Sequence, residues 1–308
     1  MDTSNVDDIK TVTISLVIIT NITLNLLVIT VIVKYPQLRE DRTNLLMFSL
    51  TLSDLANGCT AMPISAAVCS SATPNVRNTS RYLHKAHAFL LTWFCVTSLQ
   101  SLCCVAMCKM VAITTPLRYE QLLTRTRCYY IICVVWLTGA MTGASVAYFA
   151  ETWNLVECVY EIPRSVTGIL VAVTIIVIVC PAIVIVYATT RIFLAIFRAH
   201  RQITAQVNSI GGENGNITTT PYLMLKSIIS GKNVLIICLM FLIQTMPFVV
   251  YIVVDALELA DHLPASYKFA ATWILLSNSS TNSLMYIILF QFVREKVVQM
   301  VRGFCGNA

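Results

Sequence analysis

Seven long apolar runs alternate with short polar connections along the chain, at 11–33, 44–69, 86–108, 128–150, 165–190, 233–254 and 269–293. Each has 22 to 26 residues, which at about 1.5 Å per residue crosses a hydrocarbon core of about 30 Å. Backbone groups in lipid have to be satisfied within their own segment, so the pattern predicts helices. With their flanks, they read as helices over about 11–34, 43–69, 84–114, 127–150, 164–199, 223–256 and 266–289. Beyond them, about 290–302 mixes apolar residues with Arg294, Lys296 and Arg302, the pattern of a short helix lying on a membrane face. The predicted class is an all-α membrane protein: one domain over 1–308, a seven-transmembrane helix bundle with a short C-terminal amphipathic helix. A single carboxylate, Asp54, falls inside the seven runs.

Composition and charge sharpen this picture. The chain is 57% hydrophobic and 12% charged, against roughly 25% charged in soluble domains. Asp2, Asp7 and Asp8 against a lone Lys10 give the wrong sign for the start of a cleaved signal peptide, so the first helix is expected to stay. With the N-terminus outside, the inner segments hold 15 Lys and Arg and the outer ones six. That bias places the N-terminus outside and the C-terminus in the cytoplasm of a multi-pass plasma-membrane protein. The net charge of +6 is then an insertion signal; no clustered basic domain offers a nucleic-acid site. No repeat of two halves argues for a transporter. The four His are dispersed and no nucleophile–base spacing is legible, so no enzyme is expected.

Of the twelve cysteines, only Cys69 and Cys158 fall in the outer, oxidising compartment, where pairing is expected. Asn78-Thr79-Ser80 is a glycosylation sequon in the first outer loop.

Several residues then recur in the right helix and order. They are Asn25 in the first run, Leu50-Thr51-Leu52-Ser53-Asp54-Leu55 in the second, Trp136 in the fourth, Pro181 in the fifth, Phe241 and Pro247 in the sixth, and Asn282-Ser283-Leu284-Met285-Tyr286 in the seventh. On these the chain resembles a rhodopsin-like (class A) G protein-coupled receptor. Locally it is similar to adenosine receptors, through Pro116-Leu117-Arg118-Tyr119, Thr124-Arg125-Thr126-Arg127, Arg191-Ile192-Phe193-Leu194-Ala195, Lys232 and Cys158-Val159-Tyr160-Glu161.

The resemblance implies a small-molecule ligand outside, a heterotrimeric G protein and arrestin inside, and specific residues for each. Tyr160 and Glu161 would stack on and bind the ligand. Ile252 and Leu276, with Leu275, stand where adenosine receptors place polar contacts, and each unpaired ligand group would cost about 1–3 kcal/mol. Leu91 replaces the carboxylate of amine receptors, and Lys268 precedes the position of the opsin lysine. The other implied pocket residues are Cys95, Val173, Thr174, Val177, Phe248, Val249 and Thr272. They describe either a site for a small, weakly polar ligand or side chains that pack on one another.

By the same resemblance Ser98, Asn278 and Asn282 converge on Asp54 to hold a structural sodium ion, since oxygen ligands suit a hard cation. The other reading is a neutral Asp54 hydrogen-bonded to Asn25 and Asn282. At the switch positions, the family's Asp-Arg-Tyr reads Cys108-Lys109-Met110, and Ser227 stands where some receptors have an acid. Its helix 6 tryptophan is Thr245, its helix 5 tyrosine Thr189 and its helix 7 proline Ser283. Lys lacks the planar five-donor fork of Arg. Two functions follow: a signalling receptor with high basal activity, or a non-signalling decoy. His84 occupies the position of the family's helix 3 cysteine, which leaves Cys69 as the partner of Cys158. Cys305, beyond the amphipathic segment, is either palmitoylated or a plain tail cysteine.

Overall fold

The structure, a computed structural model, describes residues 3–69, 81–149, 152–154, 159–161, 175–210, 219–256 and 263–305. Long helices dominate. They are α1 (Thr3–Lys34), α3 (Arg42–Cys59) and α4 (Ala61–Cys69), α5 (Arg81–Thr114), α7 (Arg125–Phe149), α8 (Cys180–Ile210), α9 (Thr219–Ala256) and α10 (Ala265–Leu289). Two short helices, α2 (Pro36–Glu40) and α6 (Pro116–Leu122), sit in the connections, and α11 (Gln291–Cys305) follows α10.

Three features depart from the simple pattern. The second predicted helix is broken at Thr60, with φ −124° and ψ −73°. Pro63 explains it: its ring lacks an N–H and meets the carbonyl four residues back, at Cys59, where α3 stops. The Thr60 hydroxyl closes the break by donating to the Ala56 carbonyl at 2.6 Å. A π-helical turn, Ile175–Val179, precedes α8 just before Pro181, for the same steric reason. The third feature is a short pair of strands in the connection after α7, which leaves the all-α class unchanged. Strands β1 (Thr152–Asn154) and β2 (Val159–Glu161) pair antiparallel, with Trp153 opposite Tyr160. A short connection between them allows a hairpin, which satisfies its backbone groups without a helix.

Among the described residues, five helices are long and apolar enough to cross a membrane: Ile9–Lys34, Tyr82–Thr114, Arg125–Phe149, Ile176–Arg198 and Gly231–Tyr251. The other two predicted spans miss that standard for physical reasons. The second is split at Thr60, and α10 carries the polar run Ser277-Asn278-Ser279-Ser280-Thr281-Asn282-Ser283. Within that run Asn278, Ser279, Ser280, Asn282 and Ser283 are all buried, so the polarity faces protein.

Helix α5 is central, packed against α3, α7, α8 and α9, while α1 packs on α3 and α10. Small residues set the α5–α7 approach. A Cβ on Gly143 would stand 2.7 Å from the Phe89 carbonyl oxygen, and one on Gly139 would strike Thr97. Two glycines four residues apart let helix backbones meet closely where hydrophobic burial gives no drive. The main core gathers Val28, Leu46, Leu102, Ile185, Ile237 and Tyr286 from α1, α3, α5, α8, α9 and α10. Val293 and Val297 of α11 join it, while Phe292 and Val298 stay exposed. That apolar-in, apolar-and-basic-out division matches the predicted amphipathic segment.

Candidate functional site

The interior polar line starts at Asp54. Its side chain is 1% exposed on α3, and Ser279 of α10 donates to Oδ1 at 2.8 Å. Ser98 of α5 and Asn282 of α10 also stand within interaction range of this carboxylate. Asp54 Oδ2, Asn278 Oδ1 and Asn282 Nδ2 are buried without a hydrogen-bond partner among the described residues. Three of the four residues expected here therefore face one another, Asn278 has no described bond into the group, and Ser279 is an addition.

Asn25 does not bond Asp54. It accepts from Ser283 Oγ at 2.6 Å and donates to the Asn21 carbonyl at 2.9 Å. One helical turn further in, the Tyr286 hydroxyl donates to Asn44 Oδ1 at 2.8 Å. Ser279, Asn282, Ser283 and Tyr286 are spaced three, four and seven apart, so one face of α10 carries the line past α3 and α1. That spacing was available in the sequence and could have found Ser279. On the other side of α3, Trp136 Nε1 donates to Ser49 Oγ at 3.0 Å, and Trp93 Nε1 donates to the Trp136 carbonyl at 3.1 Å.

Toward the outer end, Leu91, Cys95 and Leu276 pack with Ile14, Met62, Phe269 and Trp273 in a second apolar cluster. Asn57 Nδ2 donates to Cys95 Sγ at 3.7 Å, which connects this cluster to the face of α3 that carries Asp54. Thr272 bonds back to the Lys268 carbonyl, and Phe248 contacts Tyr251 with ring centroids 5.9 Å apart. Val177 is half-buried. Val249, at 41% exposure, is not brought into this group. Lys268 is buried in the first turns of α10 with its ammonium 6.0 Å from the Tyr251 ring. Val173, Thr174, Asn78 and Cys158 lie outside the described residues, as do the side chains of Cys69, Tyr160, Glu161, Ser227, Ile252 and Cys305.

The switch positions have their own pairings. Phe241 is buried, and the Thr245 hydroxyl turns back onto the Phe241 carbonyl at 2.8 Å. Pro247 sits inside α9, where it removes a helix hydrogen bond. Gln244 Nε2 donates to Thr281 Oγ1 at 2.9 Å, a cross-helix bond not anticipated from residue spacing. Thr189 is buried, with its side chain within interaction range of the Cys238 thiol. Cys108 and Met110 are buried at the inner end of α5. Cys108 Sγ lies 3.6 Å from Thr43 Oγ1 and 3.7 Å from the Tyr119 hydroxyl. Lys109 makes no ion pair among the described residues; the one found there joins Arg42 to Glu120 at 2.6 Å. Burial pushes the pKa of Tyr119 upward, so it stays a neutral donor, and the hydrogen bond from Arg42 to Glu120 raises that of Arg42.

Comparison with known proteins places this arrangement. The pattern of the 7 transmembrane receptor (rhodopsin family) matches residues 24–286. Trace amine-associated receptor 9 of Rattus norvegicus is 26% identical over 286 residues, covering 91% of this chain and 82% of that receptor. Its Homo sapiens counterpart is 24% identical over 292 residues, with 91% and 80% covered. Trace amine-associated receptor 7c of Rattus norvegicus is 25% identical over 288 residues, with 91% and 78% covered. These likenesses run along nearly the whole chain, whereas the adenosine-receptor likeness rests on short runs. They lend no support to an adenosine-like specificity. Those runs lie largely at the inner loops and helix ends, away from the outer pocket, so they carry little ligand information. The family is one of receptors and not of enzymes. The chain belongs to the rhodopsin family of seven-transmembrane receptors.

Proposed function

We propose that this protein is a plasma-membrane receptor that senses a small, weakly polar ligand from outside and signals through a cytoplasmic G protein. The observation that carries the reading is the interior line from Asp54 through Ser279, Ser283 and Tyr286 to Asn25 and Asn44. Polar groups at membrane depth are costly and are retained where they act. Bonds between α1, α3 and α10 can be exchanged when a ligand shifts the bundle between packings.

In this reading seven segments cross the membrane, the second through α3 and α4 together and the last through α10. The N-terminus is extracellular, following the basic inner loops. The ligand is not a simple amine. The relatives are named for trace amines, but this chain has Leu91 where amine receptors hold their carboxylate, and Leu91 packs in an apolar cluster. A cation there would lack a counter-charge. The test is a panel of amines, nucleosides and neutral apolar compounds, read by second messenger and arrestin recruitment. A response of the wild type to simple amines that survives Leu91→Ala overturns the ligand class; a response to neutral compounds alone supports it.

A sodium ion fits at Asp54, because Asp54 Oδ2 and Asn278 Oδ1 are buried acceptors with no hydrogen-bond donor among the described residues. Asp54, Ser98, Asn278 and Asn282 would hold it, and its charge would stabilise the inactive packing. The Cys69–Cys158 bridge, glycosylation at Asn78 and palmitoylation at Cys305 complete the proposal. Non-reducing peptide mapping, glycosidase shift and palmitate labelling check them in turn.

The decoy reading draws on the same switch positions. Cys108 has neutral contacts where the family has an ion pair, and Thr245 bonds only its own helix.

A further inference from the structure

At the inner end, the start of α3 and helix α6 meet around one guanidinium. Arg42 is the first residue of α3 and Glu120 lies in α6, with Nη2 and Oε2 2.6 Å apart. The same guanidinium carbon is 5.7 Å from the centroid of the Tyr119 ring. At the tip of that ring is Cys108, 2% exposed, its thiol 3.7 Å from the Tyr119 hydroxyl. Asp41 fixes the start of α3 by accepting from the Thr43 amide at 2.7 Å, and Thr43 touches Cys108 from the other side.

Helix α6 has seven residues, far fewer than an isolated helix needs to persist in water. Its position therefore depends on what holds it. Its C-terminal carbonyls, at Gln121 and Leu122, are capped by Arg127 Nη1 at 2.9 Å. Among the described residues, its further polar attachments to α3 and α5 pass through Glu120 to Arg42 and through Tyr119 to Thr43 and Cys108. The Arg42 and Glu120 side chains are 22% and 70% exposed. An ion pair that open to water contributes little to folding, forms and breaks readily, and is screened by salt. Such a pair suits a reversible fastening better than a structural strut.

We infer that Arg42 and Glu120 form a clasp that seats α6 over the inner end of α5, keeps Cys108 covered, and restrains the resting receptor. Opening the clasp lifts Tyr119 from Cys108 and frees the approach to Lys109 beside it. The effect on Cys108 follows from the geometry alone; the effect on signalling rests on the receptor reading above.

Cys108 is the reporter. The full-length protein is studied in inside-out vesicles, with maleimide labelling at Cys108 followed by peptide mapping and basal second messenger measured in cells. Wild type is compared with Glu120→Gln, Arg42→Gln and the exchange Arg42→Glu with Glu120→Arg, each at matched surface delivery. Each single variant is expected to speed Cys108 labelling by about two- to fivefold, the range an exposed pair can supply. Raising salt to about 1 M should do the same to wild type. The exchange should return labelling toward wild type, and basal signalling should rise in the single variants only. Unchanged labelling in both single variants, or an exchange no closer to wild type than they are, overturns the clasp. Labelling that changes as expected while no form of the protein alters any second messenger sustains the clasp and overturns the receptor reading.

Discussion

The middle of the bundle and its inner end treat polar groups differently. In the middle, buried side chains reach across helices: Ser279 to Asp54, Ser283 to Asn25, Trp136 to Ser49 and, a turn further in, Tyr286 to Asn44. At the inner end of α5 the corresponding positions carry a neutral thiol and a lysine with no described ion pair, and the Arg42–Glu120 pair lies outside the helix core. Solvent explains the difference. At membrane depth no water replaces a lost partner, so each polar group constrains the others. Near the inner face, water and neighbouring loops can take over from a missing charge, so residue identity there is freer.

The largest effect should come from the middle. Asp54→Ala leaves Ser279 without its acceptor and is expected to cost about 1–3 kcal/mol, read as a lower melting temperature of the purified receptor. The conservative Asp54→Asn should abolish any thermal stabilisation by sodium; a sodium effect that persists removes the ion from the site. Next, Tyr286→Phe and Trp136→Phe each delete one cross-helix hydrogen bond and should cost about 1 kcal/mol by the same assay. If they are silent, the middle is no more constrained than the end.

At the inner end, restoring Cys108→Asp together with Lys109→Arg should lower basal signalling about fivefold, which corresponds to about 1 kcal/mol. A silent wild type that gains activity on this change establishes the decoy reading instead. The smallest effect is expected for Lys109→Ala, within about 0.5 kcal/mol in melting experiments, since no described ion pair is lost. A larger loss there erases the contrast between the two regions.

Much of this was legible beforehand because it depends on local properties. Run length and apolarity marked the helical segments, but α1 starts at Thr3 rather than about 11, α8 runs to Ile210 rather than about 199, Pro63 splits the second helix, and the segment before Pro181 winds as a π-helical turn. The run Asn282 to Tyr286 and the isolated Asp54 marked the polar interior without showing how it is bonded. The pocket was less legible. Leu91, Cys95 and Leu276 come together, yet Val249 is exposed, because which face α9 turns to its neighbours is not encoded in spacing. The hairpin of β1 and β2 carried no strand-like alternation long enough to read. The adenosine-like runs showed how far short segments can resemble a subfamily that the whole chain does not follow.

The sequence by itself determined the membrane class, the helix count expected of the family, the uneven division of basic residues between the two sets of connections and the single interior acid. Those follow from transfer of side chains and backbone into lipid, which acts on each segment separately. Only the tertiary structure decided the partners: Ser279 rather than Asn25 for Asp54, Asn44 for Tyr286, and Glu120 for Arg42, 78 positions away. A hydrogen bond or ion pair forms within about 3 Å, and which groups come that close depends on how whole helices rotate and pack.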